Sequence, residues 1–432
     1  MIKFEFINHS GFIISKDNFS LASDPWIEGS VFNNSWDLLV ETPAKSIKNL
    51  TNANYVWFSH EHPDHFNPKN LNIFSKNNTF LFQKTKDRRV VNYLSKISKN
   101  IIELSSNNTI KICDNFTFRV IPFQYLDSFS ITKINNITIL NLNDCDIKKI
   151  SQLKYIKKLC GKIDILLVQF SYAIGKSNVD EIKQRKDWAK SILLKLSKNI
   201  KLLNPKVVIP FASFCFFSNY NNFYLNDSIN KIDYTIKFLQ ENNPNIIFKC
   251  FYPGDIWDLK SDFNINGALN KYNLQYKKIK PKVQNVKKFN YPDLNAVSKK
   301  FIKITKENNN LFSIYNLVNK KFHNIYFYLT DLNKIYFFDF ENGLVVKDFI
   351  KKEFPLCKLD SETLFQLFSS GYGYDALIIG GRFEANKKGL KCLDKIFKFQ
   401  AKNYQNIFYN YQSLFKKLLN KIFSINKIYY ER

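Results

Sequence analysis

The stretch Tyr55-Val-Trp-Phe-Ser-His-Glu-His-Pro-Asp-His65 limits what this chain can be more than any other. Tyr55 to Ser59 is a short apolar and aromatic run that reads as a buried strand. It stops abruptly at His60, His62, Asp64 and His65, with Pro63 stiffening the turn. The whole chain has five histidines and three of them fall here, so a surface turn with chance histidines is the weaker reading. Imidazoles and carboxylates are ligands that borderline divalent metals prefer. A tight loop after a strand can aim them all into one cleft. On this reading His60 and His62 hold one metal, and Asp64 and His65 hold a second beside it.

Other strand ends supply further candidates. Residues 2–8 and 11–15 read as a hairpin around Asn8-His-Ser-Gly11, leading into a strand that ends at Asp24-Pro-Trp26. Asp24 can orient a metal ligand through a hydrogen bond. It can equally open the Pro25 turn, and the two readings are compatible. His9 either faces the cleft or is a hydrogen-bonded structural histidine. The Gly/Asn/Ser-rich segment from Glu28 to Asp37 is a loop of the kind that covers substrates on a rigid scaffold. A later apolar run, Ile137 to Leu142, ends in carboxylates, making Asp144 the candidate bridging ligand and Asp146 a weaker competitor. Helices near 68–75, 86–98, 150–160 and 179–200 alternate with strands at 79–83, 163–170 and 205–211, which predicts a mixed α/β sandwich. Lys176 and Ser177 are candidate substrate contacts, weighed against an ordinary solvated loop.

At 432 residues the chain forms one large domain or two. From 261 to 310 the composition shifts to Lys, Asn and Gln, which predicts a linker or exposed connection. Residues 311–432 regain strand and helix character. Within them, Ser361 to Phe368 reads as a helix with a capping-box start, Gly371 to Gly381 as a turn into a strand, and 402–432 as a helical tail packed on the C-terminal domain. The net charge of +27 comes from lysines spread along the chain, without a dense basic block. It therefore gives weak support for an anionic small-molecule substrate and none for nucleic acid. Seven cysteines without a Cys-x-x-Cys pair predict reduced thiols and a cytoplasmic protein. No apolar run approaches the roughly 20 residues needed for an integral membrane segment.

The His-x-His-x-Asp-His pattern, set directly after an apolar strand, resembles the signature of the metallo-β-lactamase fold superfamily. The resemblance implies a four-layer αββα sandwich over residues 1–260, with a smaller α+β C-terminal domain over 311–432. More closely, several blocks resemble the catalytic region of CMP-N-acetylneuraminate hydroxylase and its bacterial relatives: Asp24-Pro-Trp-Ile-Glu-Gly29 with Trp36, Ser59 to His65, Asn143-Asp-Cys145, Asn204 to Ser213, and Pro253 to Leu259. Three departures stand out. The Cys-x-His and Cys-x-x-His pairs of a Rieske centre are missing. The superfamily's further histidine is missing from Pro122 to Ser128, and its last histidine from the vicinity of Ser218-Asn219. Either oxygen ligands such as Gln124, Asp127 or Asn219 complete a two-metal site, or only one metal binds well, or the site has decayed. An oxygen-richer site shifts preference from zinc towards iron or manganese.

Three functions compete. The first is hydrolysis of an acylated or phosphorylated, sugar-like substrate by metal-activated water, with Asp64 as the catalytic candidate that orients the nucleophile. The second, implied by the closer resemblance, is O2-dependent hydroxylation of an N-acyl nucleotide sugar at a di-iron site, with an external ferredoxin or Rieske partner as electron donor. The third is a binding protein with a degenerate site. The resemblance places the substrate in surface polysaccharide synthesis.

Overall fold

The computed structural model describes residues 1–124, 126–282, 287–319 and 323–412. Alternation along the first strands sets the architecture. In the strand pair Ile2–Asn8 and Gly11–Lys16, Phe4, Phe6, Phe12 and Ile14 point into one core, while Ile7 and Ile13 point into another. That is the period-2 signature of a sheet buried on both faces. The sheet has seven strands in the spatial order Ile256–Trp257, Ile2–Asn8, Gly11–Lys16, Phe19–Ser23, Tyr55–Trp57, Thr79–Gln83, Ile101–Leu104. A second seven-stranded sheet runs Ile247–Phe248, Val207–Phe211, Ile165–Gln169, Ile137–Asn141, Ser128–Ile134, Phe116–Pro122, Thr109–Cys113.

The inner faces share one aromatic-rich core, in which Phe4, Trp57 and Leu81 of the first sheet meet Phe118, Phe129 and Leu140 of the second. Helices Ala44–Thr51 and Arg89–Leu94 cover the outer face of the first sheet through Leu50, Val90, Val91 and Leu94. Helices Ile150–Cys160, Ile182–Leu203 and Ile232–Asn242 cover the second. The result is an αββα sandwich.

A separate core built from residues 294 to 399 surrounds a five-stranded sheet in the order Gly343–Lys347, Lys334–Asp339, Ile325–Leu329, Leu356–Leu359, Glu384–Ala385. Its neighbours Gly373–Gly380 and Lys387–Tyr404 are helices. The sequence predicts a turn into a strand at 371–381, and the structure corrects it. Ala376 to Ile379 is an apolar run too short for periodicity to tell helix from strand. Gly381 at φ 70° ends the helix, its N–H donating to Leu377 O at 2.9 Å, a common glycine stop.

The stretch 261–310 also differs from the linker that its composition predicts. It carries the helices Asn266–Lys278 and Tyr291–Asn308, each with a sparse buried stripe: Ala268, Tyr272 and Tyr276 in the first, Leu294, Ser298, Phe301, Ile302 and Thr305 in the second. One or two buried residues per turn leave the average composition polar. Helix Ser361–Ser369 takes its cap from Asp360, which accepts from Thr363 N at 2.8 Å; the capping box expected from Ser361 is not its start. Of the predicted tail at 402–432, residues 413–432 lie outside the described residues.

Among the described residues, no helix is long and apolar enough to cross a membrane. All seven cysteines are free thiols.

Candidate metal centre

Parallel pairing explains why distant residues meet. Strands Phe19–Ser23 and Tyr55–Trp57 run parallel with Ser23 opposite Trp57, so the chain leaves both strands at the same edge of the sheet. Ligand sites in open α/β sheets lie beyond such carboxyl ends. Here that edge carries Asp24 and the loop Ser59 to His65. Across the sandwich, the end of Ile137–Asn141 brings Asn143 and Asp144 to the same place. The chain turns sharply at this rim: His9, Asp24, Gln124, Asn143 and Ala212 all have positive φ, at 44°, 39°, 48°, 49° and 53°. Non-glycine residues held in that region are strained, and such strain gathers at functional sites.

Two groups of donor atoms result, each with its atoms within 4.8 Å of one another: His60, His62 and Asp144 in one, His9, Asp64 and His65 in the other. His60 Nε2 and His62 Nδ1 converge to 2.9 Å, and Asp144 Oδ2 lies 4.0 Å from His60 Nε2. In the second group, Asp64 Oδ2 is 3.4 Å from His9 Nε2 and 3.5 Å from His65 Nε2. The groups touch, because Asp144 Oδ2 is also 3.3 Å from His65 Nε2. The structure thus brings His60 together with His62, and Asp64 together with His65, and it places His9 beside the second pair.

Neighbouring polar groups fix the ring orientations. The Asp24 carboxylate accepts from Ser59 N at 2.7 Å, from Asn143 Nδ2 at 2.6 Å and from His65 Nδ1 at 3.1 Å. His65 Nδ1 therefore carries a proton, and its Nε2 is directed at the donor groups. Ser59 Oγ lies 2.9 Å from His60 Nδ1, which likewise turns Nε2 inwards. Ser59 is itself tied across the sandwich, its carbonyl accepting from Ser128 Oγ at 2.6 Å.

The electrostatics suit a cation. Burial, with His65, His62 and His9 adding to it, holds the His60 pKa well below the usual range, so this imidazole is neutral. Burial opposes charge on Asp64 and His65, but mutual attraction wins. Asp64 is pulled down to about 2 by His65, His9 and His62, and His65 is pushed well above its ordinary value by Asp144, Asp64 and Asp24. Several donor atoms, His9 Nε2, Asp64 Oδ1, His65 Nε2 and Asp144 Oδ1, are buried without a hydrogen-bond partner among the described residues. Each such atom costs about 1–3 kcal/mol if it stays unpaired. Their convergence fits a divalent ion, and the residues present fit the group that the motif implies. The nearby thiols of Cys145 and Cys215 are kept protonated by burial and by surrounding carboxylates, so neither offers a thiolate.

Other candidates stand elsewhere. Gln124 Nε2 donates to Asp146 O at 3.2 Å, and the Asp146 carboxylate pairs with Lys195 and Lys148. Asn219 ties two loops together, donating to Asn34 O at 3.3 Å and accepting from Asn221 N at 3.0 Å. Asp127 belongs to neither donor group. Lys176 pairs with Asp394 of the C-terminal region at 2.9 Å, and Ser177 Oγ accepts from Arg185 Nη1 of helix Ile182–Leu203 at 2.8 Å. The sequence reading missed Ser59 and Asn143, although both abut ligand candidates.

No protein-family model matches the chain. It is 23 % identical over 284 residues to the cytidine monophosphate-N-acetylneuraminic acid hydroxylase of Xenopus laevis, a span of 60 % of this chain and 46 % of the relative. The chain thus spans about half the length of the curated relatives it matches. Among solved structures, CmlA, a diiron β-hydroxylase from Streptomyces venezuelae, shares 12 % identity over 59 % of this chain and 54 % of its own, with a TM-score of 0.43. A possible metal-dependent hydrolase from Veillonella parvula DSM 2008 shares 13 % identity over 60 % of this chain and 99 % of its own, with a TM-score of 0.45. The sandwich, the strand-end histidine motif and the paired donor groups together describe a protein of the metallo-β-lactamase fold, similar in sequence to the CMP-N-acetylneuraminic acid hydroxylases.

Proposed function

We propose that the chain is a metal-dependent hydrolase acting on an acylated or phosphorylated sugar-like substrate. One or two divalent ions would sit on His60, His62 and Asp144, and on Asp64, His65 and His9. What supports this is the convergence of buried, unpartnered donor atoms on one rim. A divalent ion there supplies Lewis acidity, which brings the pKa of coordinated water from about 16 to about 7 and polarises the bond under attack. The chain's own residues do the rest. Asp64, charged and buried, holds Oδ1 free to orient an attacking water. His65, locked by Asp24, cannot rotate away. Neutral His60 offers a lone pair with no proton to displace.

The sequence similarity to the hydroxylases favours a second reading on the same residues: O2-dependent hydroxylation of an N-acyl nucleotide sugar, with electrons from a ferredoxin or Rieske partner. Elemental analysis of protein purified without chelators, combined with an optical spectrum, separates the two. Zinc or manganese is expected for hydrolysis. About two irons with oxygen-sensitive absorption would transfer the assignment to hydroxylation. Asp64→Ala should lose metal and activity together, and unchanged metal content in that variant would remove Asp64 from the ligands.

A further inference from the structure

Beside the metal loop lies a cleft of about 230 Å³ whose far wall belongs to the C-terminal region. Glu61, His62 and Pro63 form the near wall, and Tyr372, Asp375 and Tyr404 the far one. Arg89 joins the walls. Its Nη2 lies 2.8 Å from Glu61 and 3.2 Å from Asp87, its Nη1 donates to Tyr404 O at 2.5 Å, and its guanidinium stacks 3.6 Å from the Tyr404 ring centre. This arginine is thereby committed to two carboxylates and a carbonyl. Asp375, in the first turn of helix Gly373–Gly380, makes no hydrogen bond or ion pair among the described residues. Burial raises its pKa, with His62 and Lys176 pulling the other way, which places its carboxyl in a partly desolvated position within the field of His62. Gly371 makes room for the wall, since a Cβ there would stand 2.9 Å from Tyr404 Cδ2.

Resting on the metal-site reading above, we propose that this cleft binds the non-reacting ring of the substrate, a hydroxylated or amino-bearing ring packed on Tyr372 and Tyr404 with its donors directed at Asp375. Two carboxylates, Glu61 and Asp375, line the cleft, and both terminal nitrogens of Arg89 are already held by Glu61, Asp87 and the Tyr404 carbonyl, which makes the cleft poorly suited to a phosphate. The anionic substrate suggested by overall charge finds no anion site in this wall; a phosphate or acyl group would face the metals. Ligand pockets for drug-sized molecules span about 300–1,000 Å³, so a cleft of 230 Å³ holds a single ring. Asp375 is a binding residue for that ring and lies outside both donor groups.

The test titrates the zinc-loaded full chain with glucosamine and glucose by ligand-observed NMR, for wild type, Asp375→Ala and Asp375→Asn, with zinc per chain measured for each. Wild type is expected to bind both sugars. Asp375→Ala should weaken glucosamine at least tenfold at unchanged zinc content, with Asp375→Asn falling between. No binding of either sugar by wild type, equal binding by all variants, or zinc loss in the Asp375 variants would each overturn the proposal. A wild type that binds no zinc yet shows Asp375-dependent glucosamine binding would sink the metal-site reading and leave the ring site standing.

Discussion

Asp24 belongs to neither donor group, yet its one carboxylate holds Ser59, His65 and Asn143 in place. Partners of this kind typically set metal affinity by a factor of about 10–100. Asp24→Asn should therefore lower zinc affinity by roughly that factor in competition with a chelator, because an amide cannot accept all three bonds. Unchanged affinity would make Asp24 only the opening of the Pro25 turn. The motif histidines and Asp64 were legible because scarce residue types were packed into one loop. Asp24 and Asp144 were legible because each comes after an apolar run. Ser59 and Asn143 carry no such mark, as small polar residues are common beside loops and only the parallel register reveals their role. Asp375 was hidden further, inside a run that alternation could not assign to helix or strand.

The element that most needs its neighbours is helix Gly373–Gly380, which brings Asp375 to the cleft. It is pinned to the sandwich at several points: Gly175 N donates to Ile378 O at 2.7 Å, and Asn222 Nδ2 to Gly380 O at 2.6 Å. A Cβ on Gly175 would stand 2.1 Å from Gly381 Cα, a backbone collision that side-chain motion cannot relieve. Gly175→Ala should cost at least the 1–3 kcal/mol typical of overpacking, seen as a lower midpoint in denaturant. Just beyond the helix, Arg382 pairs with Asp360 at 2.8 Å with both side chains 2 % exposed. Removing one partner of such a pair costs about 3–5 kcal/mol, so Arg382→Ala should destabilise more than any exposed Lys→Ala substitution in the same assay. The long helix Ile182–Leu203 followed from its amphipathic pattern, whereas the helix expected near 68–75 is a 3-10 turn over Pro68–Ile73. The two helices within 261–310 did not follow from pattern, since sparse buried stripes leave a polar average.

At the scale of the whole molecule, stability and metal binding are linked through the histidines. His65 is protonated more readily in the folded metal-free chain than in the unfolded one. The stabilisation this gives is full below the unfolded pKa of about 6.5 and is lost as pH rises through the higher folded value. Zinc takes the place of that proton and itself stabilises the fold it binds. The rise in Tm on adding zinc should therefore be larger at pH 8 than at pH 6, and an equal or smaller rise at pH 8 would contradict the charge assignment. The left-handed residues along the rim have a different consequence, one that a saturation-mutagenesis library would expose. At Ala212, a small buried residue held at a left-handed backbone angle, glycine should be tolerated among survivors and valine or isoleucine depleted. At His9 the same glycine relaxes the chain but deletes a side chain that faces the donor groups, so selection for folding and selection for turnover should pull this position in opposite directions.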